Sequence, residues 1–134
     1  MPLLENDVIF AYLNEYDPKH AIAENIFQKL RNGETSLEIS SVGLIEMELI
    51  YRSEGMEDKL LKDLAAVAAL PNAKYIALTP DIAVASVYLR KTLNLTFFDS
   101  HYAATALSLD RRIISFDQAY DKVPGLTCVK PHTI

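Results

Sequence analysis

The sequence predicts an α/β sandwich built on a mostly parallel sheet. Short apolar runs alternate along the 134 residues with longer segments of helical periodicity. Parallel strands need helical crossovers between them, so this alternation favours a parallel sheet covered by helices. Half of the residues are hydrophobic, and the 4 glycines and 6 prolines mark no linker. We therefore expect one domain over residues 1–134.

The first half of the chain is expected to start with a short buried strand at 2–4, an acidic turn and a helix at 8–13. Asp17 followed by Pro18 is typical of a helix start, and this second helix ends at Gly33. Residues 37–40 then predict a strand, 42–53 a helix capped by Ser41, and 60–68 an amphipathic helix.

The second half repeats the pattern. A strand is expected at 75–78, and Thr79 before Pro80 caps a helix at 82–93. Asp99 or Ser100 is expected to open a helix that runs to 106. The β-branched run at 112–116 predicts a strand, and 126–129 predicts a last one.

Charge and cysteine content exclude several classes of protein. The chain has 18 acidic and 13 basic residues, so it lacks the general electrostatic attraction to nucleic acid of a strongly basic protein. Its one cysteine, Cys128, excludes an internal disulfide framework and predicts a cytoplasmic protein. Its apolar runs are far shorter than the ~20 residues that span a bilayer, so no membrane association is expected.

Several carboxylates stand where a ligand would bind. Ligands of parallel sheets bind beyond the carboxyl ends of the strands, where Glu5, Asp7 and Asp117 fall. Each of them has a plain alternative explanation as a turn residue.

Two more acids are expected to point inward from helices. Glu46 projects between Val42, Ile45, Leu49 and Ile50 on what is expected to be the buried face of its helix. Asp99 shares a face with the small residues Ala103 and Ala106. The alternatives are a buried Glu46 paired with an arginine or a backbone amide, and a helix N-cap for Asp99.

Carboxylates gathered at one edge would repel each other unless a cation joins them. Hard ions such as Mg²⁺ or Mn²⁺ prefer carboxylate ligands. Zinc is disfavoured because the three histidines, His20, His101 and His132, show no ligand spacing.

Four segments resemble, in order, the acidic motifs of PIN domains, and most closely those of VapC-type toxins. They are LLENDVIFAYL, SSVGLIEMELIYR, TFFDSHYAATAL and RRIISFDQAYDKVPGL. The resemblance implies a three-layer α/β/α sandwich and a Mg²⁺- or Mn²⁺-dependent endoribonuclease that cleaves RNA. It also implies a homodimer and a small antitoxin as inhibitory partner.

The resemblance carries over to Glu5, Glu46, Asp99 and Asp117 as acids, and to Ser115 as the hydroxyl that helps to hold the site. The first motif departs from the usual Asp-Thr-Asn or Asp-Thr-Ser, since it reads Glu5-Asn6-Asp7. In a strand, residues 5 and 7 point to the same side, so either or both could bind the ion.

We expect Ser115 and the basic residues flanking Asp117, namely Arg111, Arg112 and Lys122, to contact the substrate. DNA is left open as a substrate. A PIN-fold module that binds an antitoxin or RNA without turnover is the main alternative. A phosphoacceptor receiver domain is disfavoured, because Lys122 and Lys130 are poorly placed for it and Glu46 would be unexplained.

Overall fold

The computed structural model describes residues 1–134. Five strands and six helices alternate along the chain, and two short 3₁₀-helices lie near its end. The strands are β1 (Leu3–Leu4), β2 (Leu37–Ser40), β3 (Ala73–Ile76), β4 (Arg112–Ile114) and β5 (Thr127–Val129). The helices are α1 (Asn6–Leu13), α2 (His20–Arg31), α3 (Val42–Ser53), α4 (Glu57–Ala68), α5 (Pro80–Leu93) and α6 (Phe97–Leu107), and the 3₁₀-helices are Gln118–Lys122 and Pro131–Thr133.

The five strands form one parallel sheet in the order β3-β2-β1-β4-β5. The short β1 lies at the centre, where Leu3 is in register with Glu38 of β2 and Ile113 of β4. Because all strands are parallel, their carboxyl ends lie along one edge of the sheet. The residues after β1 and β4 are therefore neighbours.

Helices cover both faces of the sheet. Successive strand residues point to opposite faces, so Leu4 and Ile114 join a core with α1 to α4, while Leu3 and Ile113 join a second core with α5 and α6. This arrangement confirms the predicted α/β/α sandwich. No helix combines the length and the apolar character needed to cross a bilayer.

Several element boundaries differ from the sequence predictions. Asp17 accepts a hydrogen bond from the Lys19 backbone at 2.8 Å, which closes a turn before α2 and delays its start to His20. The strand predicted at 75–78 lies at 73–76 because Asn72, in the left-handed region at φ 60°, turns the chain directly into it. Strand β4 ends at Ile114, two residues earlier than predicted.

Candidate functional site

Acidic side chains from several elements lie near one another at the carboxyl edge of the sheet. Glu5 directly follows β1, and Asp117 follows the neighbouring β4 just beyond Ser115. Asp7 lies in the first turn of α1, Glu46 in the middle of α3 and Asp99 in the first turn of α6. The parallel topology thus delivers residues that are far apart in sequence to one region.

Glu5 and Asp7 reach this region in a way that the sequence did not predict. Strand β1 ends at Leu4, so the expectation that residues 5 and 7 lie on one side of a strand was wrong. Glu5 is instead the N-cap of α1, and its Oε1 accepts a hydrogen bond from the Asp7 backbone at 3.1 Å. Both carboxylates still approach the Ser115 hydroxyl, at 3.2 Å and 2.8 Å.

The Ser115 hydroxyl links three acidic residues but carries only one hydrogen. It can donate to Glu5 Oε2 or to Asp7 Oδ2 at any moment, and it accepts a hydrogen bond from the Asp117 backbone at 2.9 Å. Asp7 Oδ2 also accepts from the Phe116 backbone at 2.8 Å, whereas Asp7 Oδ1 is buried without a partner. This oxygen is therefore free for a cation.

Glu46 is held by two hydrogen bonds to the same oxygen. Its Oε1 accepts from the Asn6 amide at 3.0 Å and from the Tyr102 hydroxyl at 2.7 Å. Asn6 can lie this close to α3 because residue 43 is glycine: a Cβ there would lie 2.6 Å from Asn6 Oδ1. The lack of a side chain at Gly43 thus helps to place the partner of Glu46.

The inward orientation of Glu46 was predicted from a face that is only partly correct. Ile45 and Leu49 are more than half exposed, whereas Met47 and Tyr51 on the other side of Glu46 are buried. Glu46 lies at the boundary between the two, half-buried and directed towards α1 and α6.

Asp99 is not the N-cap of its helix. Helix α6 begins at Phe97, and the N-cap is Thr96, whose Oγ1 accepts a hydrogen bond from the Asp99 backbone at 3.3 Å. The Asp99 carboxylate is therefore free to face another element. Its Oδ1 accepts a hydrogen bond from the hydroxyl of the buried Tyr120 at 3.2 Å.

Asp117 is the most exposed of the five acids. Its Oδ1 accepts a hydrogen bond from the Ala119 backbone at 2.8 Å and caps the short 3₁₀-helix. One carboxylate oxygen of Asp117 thus has the turn-forming role given as the alternative. The backbone of Asp117 still donates a hydrogen bond to the Ser115 hydroxyl.

Burial raises the pKa values of four of these carboxyl groups. It raises the pKa of Glu5 well above its usual value, and the neighbouring Asp7 raises it further. Burial also raises the pKa of Asp7, Glu46 and Asp99, although hydrogen bonds from Ser115, Tyr102 and Tyr120 respectively oppose the rise. The negative charges of Asp99 and Asp7 add to the rise in the pKa of Glu46, and that of Asp117 adds to the rise in the pKa of Asp99.

The acids of the cluster have no direct basic partners. None of the five carboxylates forms an ion pair with a lysine or an arginine. This excludes the alternative in which Glu46 is half of a buried ion pair.

The acids lie in one region, but their carboxylate groups do not converge on a common metal position. No three histidine, cysteine, aspartate or glutamate side chains are spaced as a metal site. The chemistry of the donor set nevertheless fits a hard divalent cation, because its atoms are carboxylate oxygens and one of them, Asp7 Oδ1, is buried without a partner.

The predicted basic residues are placed very differently from one another. Lys122 is exposed and lies near enough to Asp99 to lower its pKa. Arg112 begins β4 and pairs with Asp110 at 2.8 Å, and Arg111 precedes it, so both lie at the opposite end of the strand from Asp117. Arg111 and Arg112, which are close to Asp117 in sequence, are therefore separated from it in the fold by the strand.

Four residues that hold or border the cluster were not predicted from the sequence. Asn6, Tyr102 and Tyr120 donate to its carboxylates, and the Lys19 ammonium lies 4.5 Å from the centre of the Phe116 ring. The spacing of Tyr102, three residues after Asp99 on a helix, is a signal that could have indicated a shared face.

Comparison with known proteins agrees with this fold. The model of the PIN domain family matches residues 3–126, so the chain belongs to the PIN domain family. PIN domains are generally nucleases that use divalent metal ions. A direct comparison with curated protein sequences gives no significant match.

Two solved structures share the fold. One is a chain of VapBC2 from Rickettsia felis bound to a DNA fragment from their promoter, with 14% identity, a TM-score of 0.73 and 96% coverage of each chain. The other is a chain of a toxin–antitoxin complex from Klebsiella pneumoniae, with 20% identity, a TM-score of 0.66 and 98% coverage of each chain. The predicted resemblance to VapC-type PIN toxins is thereby confirmed at the level of the fold.

Proposed function

We propose that this protein is a metal-dependent endoribonuclease and the toxin of a type II toxin–antitoxin pair. The observation that carries the proposal is the group of carboxylates without basic partners at the carboxyl edge of the sheet, of which Glu5 is buried and Asp7, Glu46 and Asp99 are partly buried. Buried acids without basic partners are costly for a fold that does not use them. Membership of the PIN domain family and the two toxin–antitoxin neighbours support the same function.

Mg²⁺ or Mn²⁺ would be held by Glu5 and Asp7 from the first motif, with Glu46, Asp99 and Asp117. Bound there, the ion would supply an activated water for attack on a phosphodiester and would offset charge on the phosphate oxygens. The chain itself orients the carboxylates through Ser115 and backbone amides. Asp7 stands where a neutral residue is common in the family, so this site has one more carboxyl group than usual.

Two lysines are suited to hold the RNA backbone at the rim of the site. Lys122 lies near Asp99, and Lys19 lies over Phe116, whose backbone amide binds Asp7. Lysine ammonium groups supply charge for phosphate contacts without reading sequence. Because Arg111 and Arg112 lie at the far end of β4, we leave them out of the substrate contacts.

Cleavage of a labelled single-stranded RNA tests the proposal. The wild-type protein should cleave in Mn²⁺ or Mg²⁺ and stop in EDTA. Asp99→Asn removes a proposed metal ligand. The cleavage rate should therefore fall by more than the roughly 100-fold that is lost when only a hydrogen-bond partner of a ligand is removed. Glu48→Gln, on the exposed side of α3, is the matched control and should cleave like wild type. Equal background cleavage of the RNA by wild type and Asp99→Asn would contradict the proposal. A labelled DNA of the same sequence shows whether DNA is also cut.

A second function is favoured by one observation. Because no three acids are spaced as a closed metal site, a PIN-fold module that binds an antitoxin or RNA without turnover is also consistent with the geometry. Such a module would bind the labelled RNA in Mn²⁺ without cleaving it, so the same experiment separates the two.

We place the toxin in the cytoplasm, as a homodimer inhibited by a small antitoxin. Large apolar side chains are exposed on α3 and α5, and surfaces of this kind favour contact with another protein. They are Ile45, Leu49, Val84, Val87 and Tyr88. Light scattering on the chain alone, and on the chain expressed with the product of the neighbouring reading frame, should give a dimer and a larger complex. A monomer in both samples would contradict these partners.

A further inference from the structure

Two buried tyrosine hydroxyls contact the acidic cluster from the second core. Tyr102 of α6 is 1% exposed and Tyr120 of the 3₁₀-helix is fully buried. The Tyr102 hydroxyl donates to Glu46 Oε1 at 2.7 Å, and the Tyr120 hydroxyl donates to Asp99 Oδ1 at 3.2 Å. Neither residue belongs to the acids that define the site.

Each of these contacts uses one oxygen of a carboxylate and leaves the other without a protein donor. Glu46 Oε1 accepts from both Asn6 and Tyr102, while Glu46 Oε2 accepts no hydrogen bond from the protein. Asp99 Oδ1 accepts from Tyr120, while Asp99 Oδ2 accepts none. The two carboxylates are thus presented with one oxygen held and one oxygen available.

Packing alone does not explain the hydroxyl groups. A phenylalanine fills nearly the same volume as a tyrosine and avoids burying a polar group, which is costly unless that group is hydrogen-bonded. At both positions, the only side-chain partner of the hydroxyl is a carboxylate of the cluster.

We infer that Tyr102 and Tyr120 are positioning residues that make Glu46 and Asp99 one-oxygen ligands of the divalent cation. A carboxylate with one oxygen held by a tyrosine is hindered from binding an ion through both oxygens. Mg²⁺ and Mn²⁺ suit octahedral sites with one oxygen from each carboxylate, whereas the larger Ca²⁺ readily accepts two. The tyrosines therefore favour the small ions over Ca²⁺. This inference rests on the proposed metal-dependent function.

Calorimetric titration with Mn²⁺ and with Ca²⁺, each without RNA, tests the inference on four proteins. They are wild type, Tyr102→Phe, Tyr120→Phe and the control Tyr75→Phe. Tyr75 is matched because its partly buried hydroxyl also donates one hydrogen bond, to the Val67 carbonyl at 3.1 Å, in the first core. Melting temperatures of all four, measured in EDTA, report the stability of the fold independently of the ion.

Loss of either site hydroxyl should weaken Mn²⁺ binding by about 10- to 100-fold, the range for losing a partner of a metal ligand. Ca²⁺ binding should weaken less, so the preference for Mn²⁺ falls. Tyr75→Phe should leave both affinities unchanged. An Mn²⁺ affinity within twofold of wild type, an equal loss for both ions, or the same loss in Tyr75→Phe would overturn the inference. If wild type itself binds no Mn²⁺, the proposed metal-dependent function fails. If wild type binds Mn²⁺ but the variants bind it equally well, only the inference about the tyrosines fails.

Discussion

Asp7 is the residue whose position explains most about the acidic cluster. One of its oxygens is held by Ser115 and the Phe116 backbone, and the other is buried without a partner. A neutral side chain at position 7 could accept the same two hydrogen bonds. The aspartate thus adds a negative charge beside Glu5 that the hydrogen bonds alone do not require.

Repulsion between such residues gives a testable consequence at Glu46. Gln at position 46 keeps an oxygen that can accept from Asn6 and Tyr102. It removes a carboxyl group whose pKa is raised by burial. We expect Glu46→Gln to raise the melting temperature in EDTA and to abolish cleavage in Mn²⁺. Thermal unfolding followed by circular dichroism measures the first effect, with Glu48→Gln as control. A sharp fall in melting temperature would show that Glu46 stabilises the fold through a partner.

At the scale of elements, four of the five acids lie at the amino end of a helix, and only Glu46 lies in the middle of one. Helix α1 begins at Asn6, next to Glu5, and the short 3₁₀-helix begins at Gln118, next to Asp117, whereas α6 begins at Phe97, two residues before Asp99. The N-terminus of an α-helix carries a partial positive charge and unpaired amide groups, which stabilise nearby anions. The helix starts of α1 and α6 therefore offset part of the repulsion while their caps fix the backbone of the acids.

The caps of α5 and α6 provide a matched pair of variants. Thr79 Oγ1 accepts from the Ile82 backbone at 3.2 Å, and Thr96 Oγ1 accepts from the Asp99 backbone at 3.3 Å. We expect Thr79→Ala and Thr96→Ala each to cost about 1 kcal/mol of stability, as measured by urea unfolding. Only Thr96→Ala should weaken Mn²⁺ binding and slow cleavage, because only that cap orients a site acid. Equal loss of activity in both variants would mean that the caps act through stability alone.

For the whole molecule, the acidic balance and the buried cluster make stability depend on pH and on divalent ions. An acid whose pKa is raised on folding binds its proton more tightly in the native state. Between the unfolded-state pKa, about 4, and the raised native value, the native state holds more protons, so stability falls as the pH rises. The shifts of Glu5, Asp7, Glu46 and Asp99 all have this sign.

Divalent ions should oppose this loss, because they bind the deprotonated carboxylates. We expect the gain in melting temperature on adding MgCl₂, relative to EDTA, to grow between pH 5 and pH 8. The gain should be smaller in the double variant Glu46→Gln, Asp99→Asn. Differential scanning calorimetry at constant ionic strength measures it. A gain that is independent of pH, or equal in the variant, would contradict a cation bound by these carboxylates.

Local patterns in the sequence were sufficient for the fold class and for the acids. Alternating strands and helices imply a parallel sheet, in which the carboxyl ends of all strands lie at one edge. Because Glu5 and Asp117 each follow a strand, the order of elements along the chain was enough to place them at this edge. Boundaries set by side-chain caps were less predictable, since Thr96 and Asp99 are both good capping residues and only the backbone path decides between them.

Only the tertiary structure decided which side chains hold the acids and which cations lie near them. Glu5 and Ser115 are 110 positions apart, and Glu46 and Tyr102 are 56 apart, so no periodicity links them. Arg111 and Arg112 are close to Asp117 in sequence, yet an extended strand of about 3.3 Å per residue carries them away from it. Residues three or four apart in sequence share a face of a helix. Residues five apart in sequence, such as Arg112 and Asp117, lie towards opposite ends of a strand. For this reason the sequence determined the chemistry of the site, and the fold determined its partners.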